Sequence, residues 1–212
     1  RPIQEKDIIV SGDDAKNRDI VFTDEFIFGL YSPSVDSYYK SNFDESYGPE
    51  KMYIYKLSDY YGGGSRDLRQ TYWYKTNWGS SYLVKHNADL YYAKEKVRMI
   101  TLPEMYYIAA EAHPAEAYKL LEEILPSREV HTTLVTGSSR VDVLKELLSE
   151  YRKEYLGDGQ FFYAYKRMIG EEAVVSSLQL NIPNNDKVLV WPLPQDEIKY
   201  GDRVSEIWQS EK

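Results

Sequence analysis

Thr101-Leu102-Pro103-Glu104-Met105-Tyr106-Tyr107-Ile108-Ala109-Ala110-Glu111-Ala112 is the stretch that decides the fold class. Apolar residues recur at Leu102, Met105, Tyr106, Ile108, Ala109 and Ala112, the period of a helix with one buried face. Thr101 and Glu104 are spaced as a capping box and Pro103 suits a first turn, so the helix is expected to open at Thr101. Beyond His113, Pro114 starts a partner helix over 115–125 with Ala117, Leu120, Leu121 and Ile124 inward, and Pro126 stops it. Two antiparallel helices with almost no loop make a hairpin of the kind that tetratricopeptide repeats stack, although one hairpin is not an array.

Toward the C-terminus, Thr136-Gly137-Ser138-Ser139 reads as a break. Val141, Leu144, Leu147, Leu148, Tyr151 and Tyr155 then line another helix that ends at Gly157-Asp158-Gly159. Phe161, Phe162, Tyr165 and Met168 continue in a short helix to Gly170. Residues 171–187 read as an exposed loop turning at Asn184-Asn185-Asp186, and 188–194 as extended, since each proline moves its predecessor out of the helical region. The tail from Gly201 is polar apart from Val204, Ile207 and Trp208.

Toward the N-terminus the pattern changes. Residues 1–96 are rich in Gly, Ser, Asn, Asp and Tyr, and 97–212 are helical in period, which sets the expected division. Ile8-Ile9-Val10 and Phe26-Ile27-Phe28 suit short strands or buried turns, with Ser11-Gly12-Asp13-Asp14 as turn chemistry between them. Gly62-Gly63-Gly64 and Asn77-Trp78-Gly79-Ser80 are loop material.

Of 212 residues, 26 are Lys or Arg and 34 Asp or Glu, a formal charge of −8 that disfavours a nucleic-acid partner. With no cysteine, disulfides, Cys-containing zinc sites and thiol nucleophiles are excluded. No apolar run approaches a membrane span. Arg1 to Lys6 has no apolar region behind it, and the chain opens on Arg, so further sequence is expected upstream. Tyrosine is the outlier at 21 residues, of which thirteen lie between Tyr31 and Tyr92. A flat apolar ring with a hydrogen-bonding tip suits an exposed recognition surface.

Three segments together resemble the SusD/RagB family of outer-membrane lipoproteins. The family's Arg-Leu-x-Glu-Met-Tyr-Leu-Ile-x-Ala-Glu-Ala helix is matched at 102–112. Its Glu-x-Arg-x-Glu-Leu-x-x-Glu-Gly helix and aromatic stretch ending Lys-Arg are matched from Glu150, Arg152, Glu154, Asp158 and Gly159 to Lys166-Arg167. There Phe161 and Ala164 stand where the family has Arg and Asp. A Pro-Ile-Pro-x-x-Glu-Ile element is matched at 192–198, and Asp24-Glu25-Phe26-Ile27-Phe28 looks like the family's Glu-x-Ile-Phe strand. The resemblance spans roughly 24–200, and because family members are about twice this length, the chain is similar to their C-terminal half. It implies a mainly α fold, a tetratricopeptide-like scaffold carrying a loop-rich, Tyr-rich subdomain and a few short strands. It also implies a cell-surface lipoprotein, anchored by an upstream lipid, that captures oligosaccharide or polysaccharide without cleaving it. The ligand would pass to a SusC-like TonB-dependent transporter.

Sugar binding needs exposed aromatic platforms with polar groups at their edges. The stretch 67–78 supplies both: Trp73 and Trp78 as platforms, Tyr60, Tyr61, Tyr72 and Tyr74 as secondary ones, and Arg69, Asp67 and Asn77 as hydrogen-bonding partners. Alternatively, Tyr72 and Tyr74 alternate with Trp73 on a strand with one side in the core. No cofactor is expected. His86, His113 and His131 lack a ligand spacing, and Asp13-Asp14 or Asn184-Asn185-Asp186 could touch structural calcium but do not fit a calcium loop. One rival is a protein-interaction module contacting its partner through helices 101–170. The other is a glycoside hydrolase, for which no catalytic constellation stands out among helix-face acids such as Glu104, Glu111, Glu150 and Glu154.

Overall fold

The computed structural model describes residues 1–8, 18–43, 52–62, 65–87, 95–178, 180, 186–191 and 193–201. The readings at Ile9-Val10, Ser11 to Asp14, Gly63-Gly64, Asn184-Asn185, Pro192 and the tail beyond Gly201 lie outside them. The described chain is mainly helical, with two small antiparallel sheets.

The first part begins with a helical turn α1 (Glu5–Ile8), where a strand was one expectation. Then follow β1 (Phe26–Tyr31), α2 (Val35–Asn42), α3 (Ser58–Tyr61), α4 (Leu68–Trp73), β2 (Tyr74–Asn77), β3 (Ser80–Leu83) and β4 (Lys96–Thr101). β2 and β3 form a hairpin in register Tyr74 to Leu83 and Asn77 to Ser80. Its two-residue tip, Trp78-Gly79, has positive φ at both positions, 49° and 81°, as a type I′ turn requires. β1 pairs with β4, from Phe26 opposite Thr101 to Tyr31 opposite Lys96, with irregularities at Phe28. The expected division at 96/97 falls inside β4.

The second part holds α5 (Leu102–Ala112), α6 (Ala117–Ile124), α7 (Arg140–Tyr155), α8 (Gln160–Met168), α9 (Glu172–Val175), α10 (Asp186–Leu189) and α11 (Gln195–Tyr200). α5 buries Pro103, Tyr107 and Ala110, one residue around from the expected face, and leaves Met105 and Ile108 exposed. Its sequence is apolar nearly all round, so neighbours rather than period select the buried face. Half of the capping box forms: Glu104 accepts from the Thr101 N–H, while Thr101 Oγ1 meets Tyr155 Oη at 2.9 Å. α6 buries Ala117, Leu121 and Ile124 as its spacing predicts. Ser139 caps α7 by accepting from the Asp142 N–H. The expected loop after Gly170 instead contains α9, which buries Val174, and a 3₁₀ turn (Ser176–Leu178) that buries Leu178. Val188 and Leu189 are helical rather than extended.

Two apolar clusters result. One gathers Tyr107, Leu121, Ile124, Val143, Leu147, Leu148 and Met168 from α5 to α8. The other gathers Ile8, Val21, Phe22, Tyr39, Phe43, Leu68, Trp73 and Leu83 from the first part. They meet at the end of α7, where Gly157 has φ +81° and a Cβ would lie 2.6 Å from Leu83 Cδ2, a contact only glycine permits.

Candidate functional site

Between the clusters runs a buried seam of charge. Glu154 on α7 is its centre: Oε1 accepts from Arg98 Nη1 at 2.9 Å and Arg128 Nη2 at 3.1 Å, and Oε2 from Arg69 Nη1 at 3.2 Å and Arg128 Nε at 3.3 Å. Arg69 also binds Asp67 at 2.6 Å and Glu150 at 2.8 Å. Arg128 binds Glu25 at 2.6 Å. Asp158, in the turn after α7, holds Arg98 at 2.6 Å and Lys85 at 2.9 Å, with His86 Nε2 2.8 Å away. Lys153 closes onto Glu150 at 2.6 Å. The carboxylates Glu25, Asp67, Glu150, Glu154 and Asp158 therefore balance the cations Arg69, Lys85, Arg98, Arg128 and Lys153. Only such matching makes so many buried ions tolerable.

Burial works to raise the Glu154 pKa, but the guanidiniums of Arg128, Arg98 and Arg69 hold it well below the carboxylate range. Asp158 likewise resists its burial through Lys85 and Arg98 and stays well below its ordinary value. Burial pulls Lys85 down to about 8, with Asp158 opposing. Burial also lowers His86, which is therefore neutral at pH 7. Glu150, Glu154 and Asp158 are held ionised, so none is a stored proton donor. Burial raises the carboxyls of Asp19 and Glu104, but neither lines the cleft that follows.

The seam reaches the surface at a cleft of about 630 Å³. Its lining includes Tyr38 of α2, Val97 to Met99 of β4, His86, the turn Gly157 to Gln160, and Tyr163 of α8. Tyr38 and Tyr163 are exposed rings. Three buried polar atoms of lining residues, His86 Nδ1, Arg98 Nε and Gln160 Oε1, have no hydrogen-bond partner among the described residues. Two exposed aromatic rings over a partly polar lining suit a ligand with apolar faces and hydroxyl edges. Neither tyrosine is a sequence candidate. The signal for Tyr163 is its place off the apolar stripe of α8, an aromatic where solvent is expected.

The residues expected from the stretch 67–78 are divided by the structure rather than gathered. Trp73 is 0% exposed: Nε1 donates to the Ile20 carbonyl, and Arg98 and Lys85 lie 4.8 and 4.7 Å from its ring centroid. It is a core residue and offers no platform. Arg69 and Asp67 are buried in the seam, Asp67 also capping α4 by accepting from the Arg69 N–H. Tyr61 and Tyr74 are buried against each other at 5.9 Å. Tyr72 is half-buried, its hydroxyl 3.3 Å from Glu5, and Tyr60 is half-buried beneath Arg152 at 4.2 Å. The helix α4 explains this division, because Trp73 ends it and Tyr74 starts β2, so the three aromatics never alternate along one strand. Asn77 and Trp78 are exposed at the hairpin, Trp78 at 98%. Ile54 bridges to Ser81 beside that hairpin, which places exposed Tyr53 6.1 Å from Tyr82.

Among the described residues, no group of three or more His, Asp or Glu could hold a metal ion, and no helix is long and apolar enough to cross a membrane. Comparison with protein-family models, curated proteins and solved structures found no match to the chain.

Proposed function

We propose that this chain is a non-catalytic, SusD-like glycan-binding protein of the bacterial outer-membrane surface, built on a tetratricopeptide-like scaffold. It would hand oligosaccharide to a SusC-like TonB-dependent transporter. The observation that carries the reading is Trp78. Its ring stands wholly in water, on a left-handed backbone that β-carbons disfavour. An exposed ring at a hairpin tip is the kind of platform that stacks on a sugar face. Tyr53 and Tyr82 beside the hairpin, and the cleft between Tyr38 and Tyr163, supply further aromatic surface.

The test is native affinity electrophoresis on a polysaccharide panel. Retardation by one glycan class is expected, reduced at least about tenfold in affinity by Trp78→Ala, which removes no packing, and separately by the pair Tyr38→Ala and Tyr163→Ala. Unchanged glycan chain length after long incubation is also expected, and shortening would favour a hydrolase. If no glycan retards the chain, the reading fails.

A second reading, a docking module without direct glycan contact, is favoured by one observation. Ile27, Phe28 and Leu30 of β1, Met99 and Ile100 of β4, and Met105 and Ile108 of α5 are all exposed. Apolar residues gathered on neighbouring elements mark an interface more often than a free surface.

A further inference from the structure

A second cavity of about 630 Å³ lies along α7, and it holds a cation that the seam does not use. Arg152 is only 8% exposed, yet beyond its stacking on the Tyr60 ring its guanidinium donates to two backbone carbonyls, Leu178 and Asp59, each at 3.5 Å. Its Nε has no partner, and no carboxylate pairs with it among the described residues. Arg69, Arg98 and Arg128 are each bound by two or more carboxylates and have raised pKa values, whereas burial lowers that of Arg152. A guanidinium presents five N–H donors in a fork, so most of its capacity is unspent.

Lys145 and Ser149 precede Arg152 on α7 by seven and three residues and also line the cavity. That spacing puts all three on one helix face, over roughly 10 Å. Lys145 has no ion-pair partner among the described residues. The acids of the same cavity are mostly committed elsewhere. Glu146 accepts from Thr132 and Thr133, Glu150 from Arg69 and Lys153, and Asp142 from Ser139. Asp142 and Glu146 keep their charge because their donors are neutral, and Asp59 stays exposed, which limits the local positive potential and suits a single oxyanion at Arg152 rather than a polyanion.

We propose that this groove binds one oxyanion group, a carboxylate or sulfate, on the fork of Arg152 where it lies over Tyr60, with Lys145 and Ser149 along the same helix face. That the group is carried on an acidic sugar rests on the glycan reading above; the oxyanion site does not.

The experiment titrates the intact chain, at constant ionic strength, with sodium sulfate, with glucuronate and with glucose, following the arginine Nε–Hε signals by NMR. The Arg152 signal, identified by its loss in Arg152→Gln, is expected to shift saturably with both anions and to ignore glucose. Arg152→Lys keeps the charge but loses the fork, and should weaken the anions roughly tenfold. Lys145→Gln, on the open face, should weaken them several-fold with an unchanged circular-dichroism spectrum. Glucuronate binding more tightly than sulfate supports a sugar carrier; equal binding keeps the oxyanion site and removes the sugar. No saturable shift with either anion, or anion affinity indifferent to both Arg152→Lys and Lys145→Gln, overturns the proposal. Neutral glycan binding at the hairpin or cleft is read separately and stands or falls on its own.

Discussion

Trp73 and Trp78 are five residues apart and have opposite fates. Trp73 packs on Phe22 at 5.2 Å and beneath two cations, so Trp73→Ala is expected to cost about 3–5 kcal/mol. Trp78→Ala should change the denaturation midpoint little, since the ring touches solvent. Equal midpoints for both variants in urea would refute this contrast. The exposed member was legible in the sequence, because Asn77-Trp78-Gly79-Ser80 announces a turn and a turn tip points to water. The buried member was not. Nothing within 67–74 shows that a helix ends at Trp73, since helix and strand spacings fit so short an aromatic run equally well.

At the scale of elements, although α7 buries Glu150, Arg152 and Glu154 besides its apolar residues, α6 and α7 follow their apolar period. α5 does not, and its burial is fixed by β4 at one end and by α6 and α7 along its length. The junction after α7 is the least forgiving point. Gly157→Ala would combine a strained φ with a collision against Leu83, and about 3 kcal/mol of destabilisation is expected in equilibrium unfolding. A neutral result would show that the hairpin can move away from α7. Ser139→Ala, by contrast, removes a helix cap and should cost about 1 kcal/mol.

The whole molecule depends on ions that a sequence reading assigns to the surface by default. The helix that carries Glu150 and Glu154 was legible; their partners Arg69, Arg98, Arg128 and Glu25 were not, because they come from far along the chain. Glu154→Gln takes one buried carboxylate from Arg69, Arg98 and Arg128, which keep Asp67 and Glu150, Asp158, and Glu25 respectively, and should cost about 3–5 kcal/mol. Breaking the exposed Arg167–Glu111 pair should cost under about 1 kcal/mol. The pH dependence follows in sign. Glu150, Glu154 and Asp158 have lowered pKa values in the fold, so their stabilisation is complete above the unfolded carboxyl pKa near ~4 and is lost as pH falls below it. Lys85, lowered to about 8, binds its proton more tightly when unfolded, so its contribution grows as pH rises from about 8 toward ~10.4. Urea midpoints from pH 3 to 10 check both limbs, and a flat acid limb would count against the seam.

Apolar surfaces can slide over one another at little cost, but a guanidinium that shifts by an ångström loses its carboxylate. The seam therefore acts as a keyway that admits one seating of the first part on the helices. Tyr38 of α2 and Tyr163 of α8 line one cleft beside it, so the placing of those two elements there is gauged by charge as well as by packing. Weakening the seam would blur the fit of any ligand there before either core began to melt.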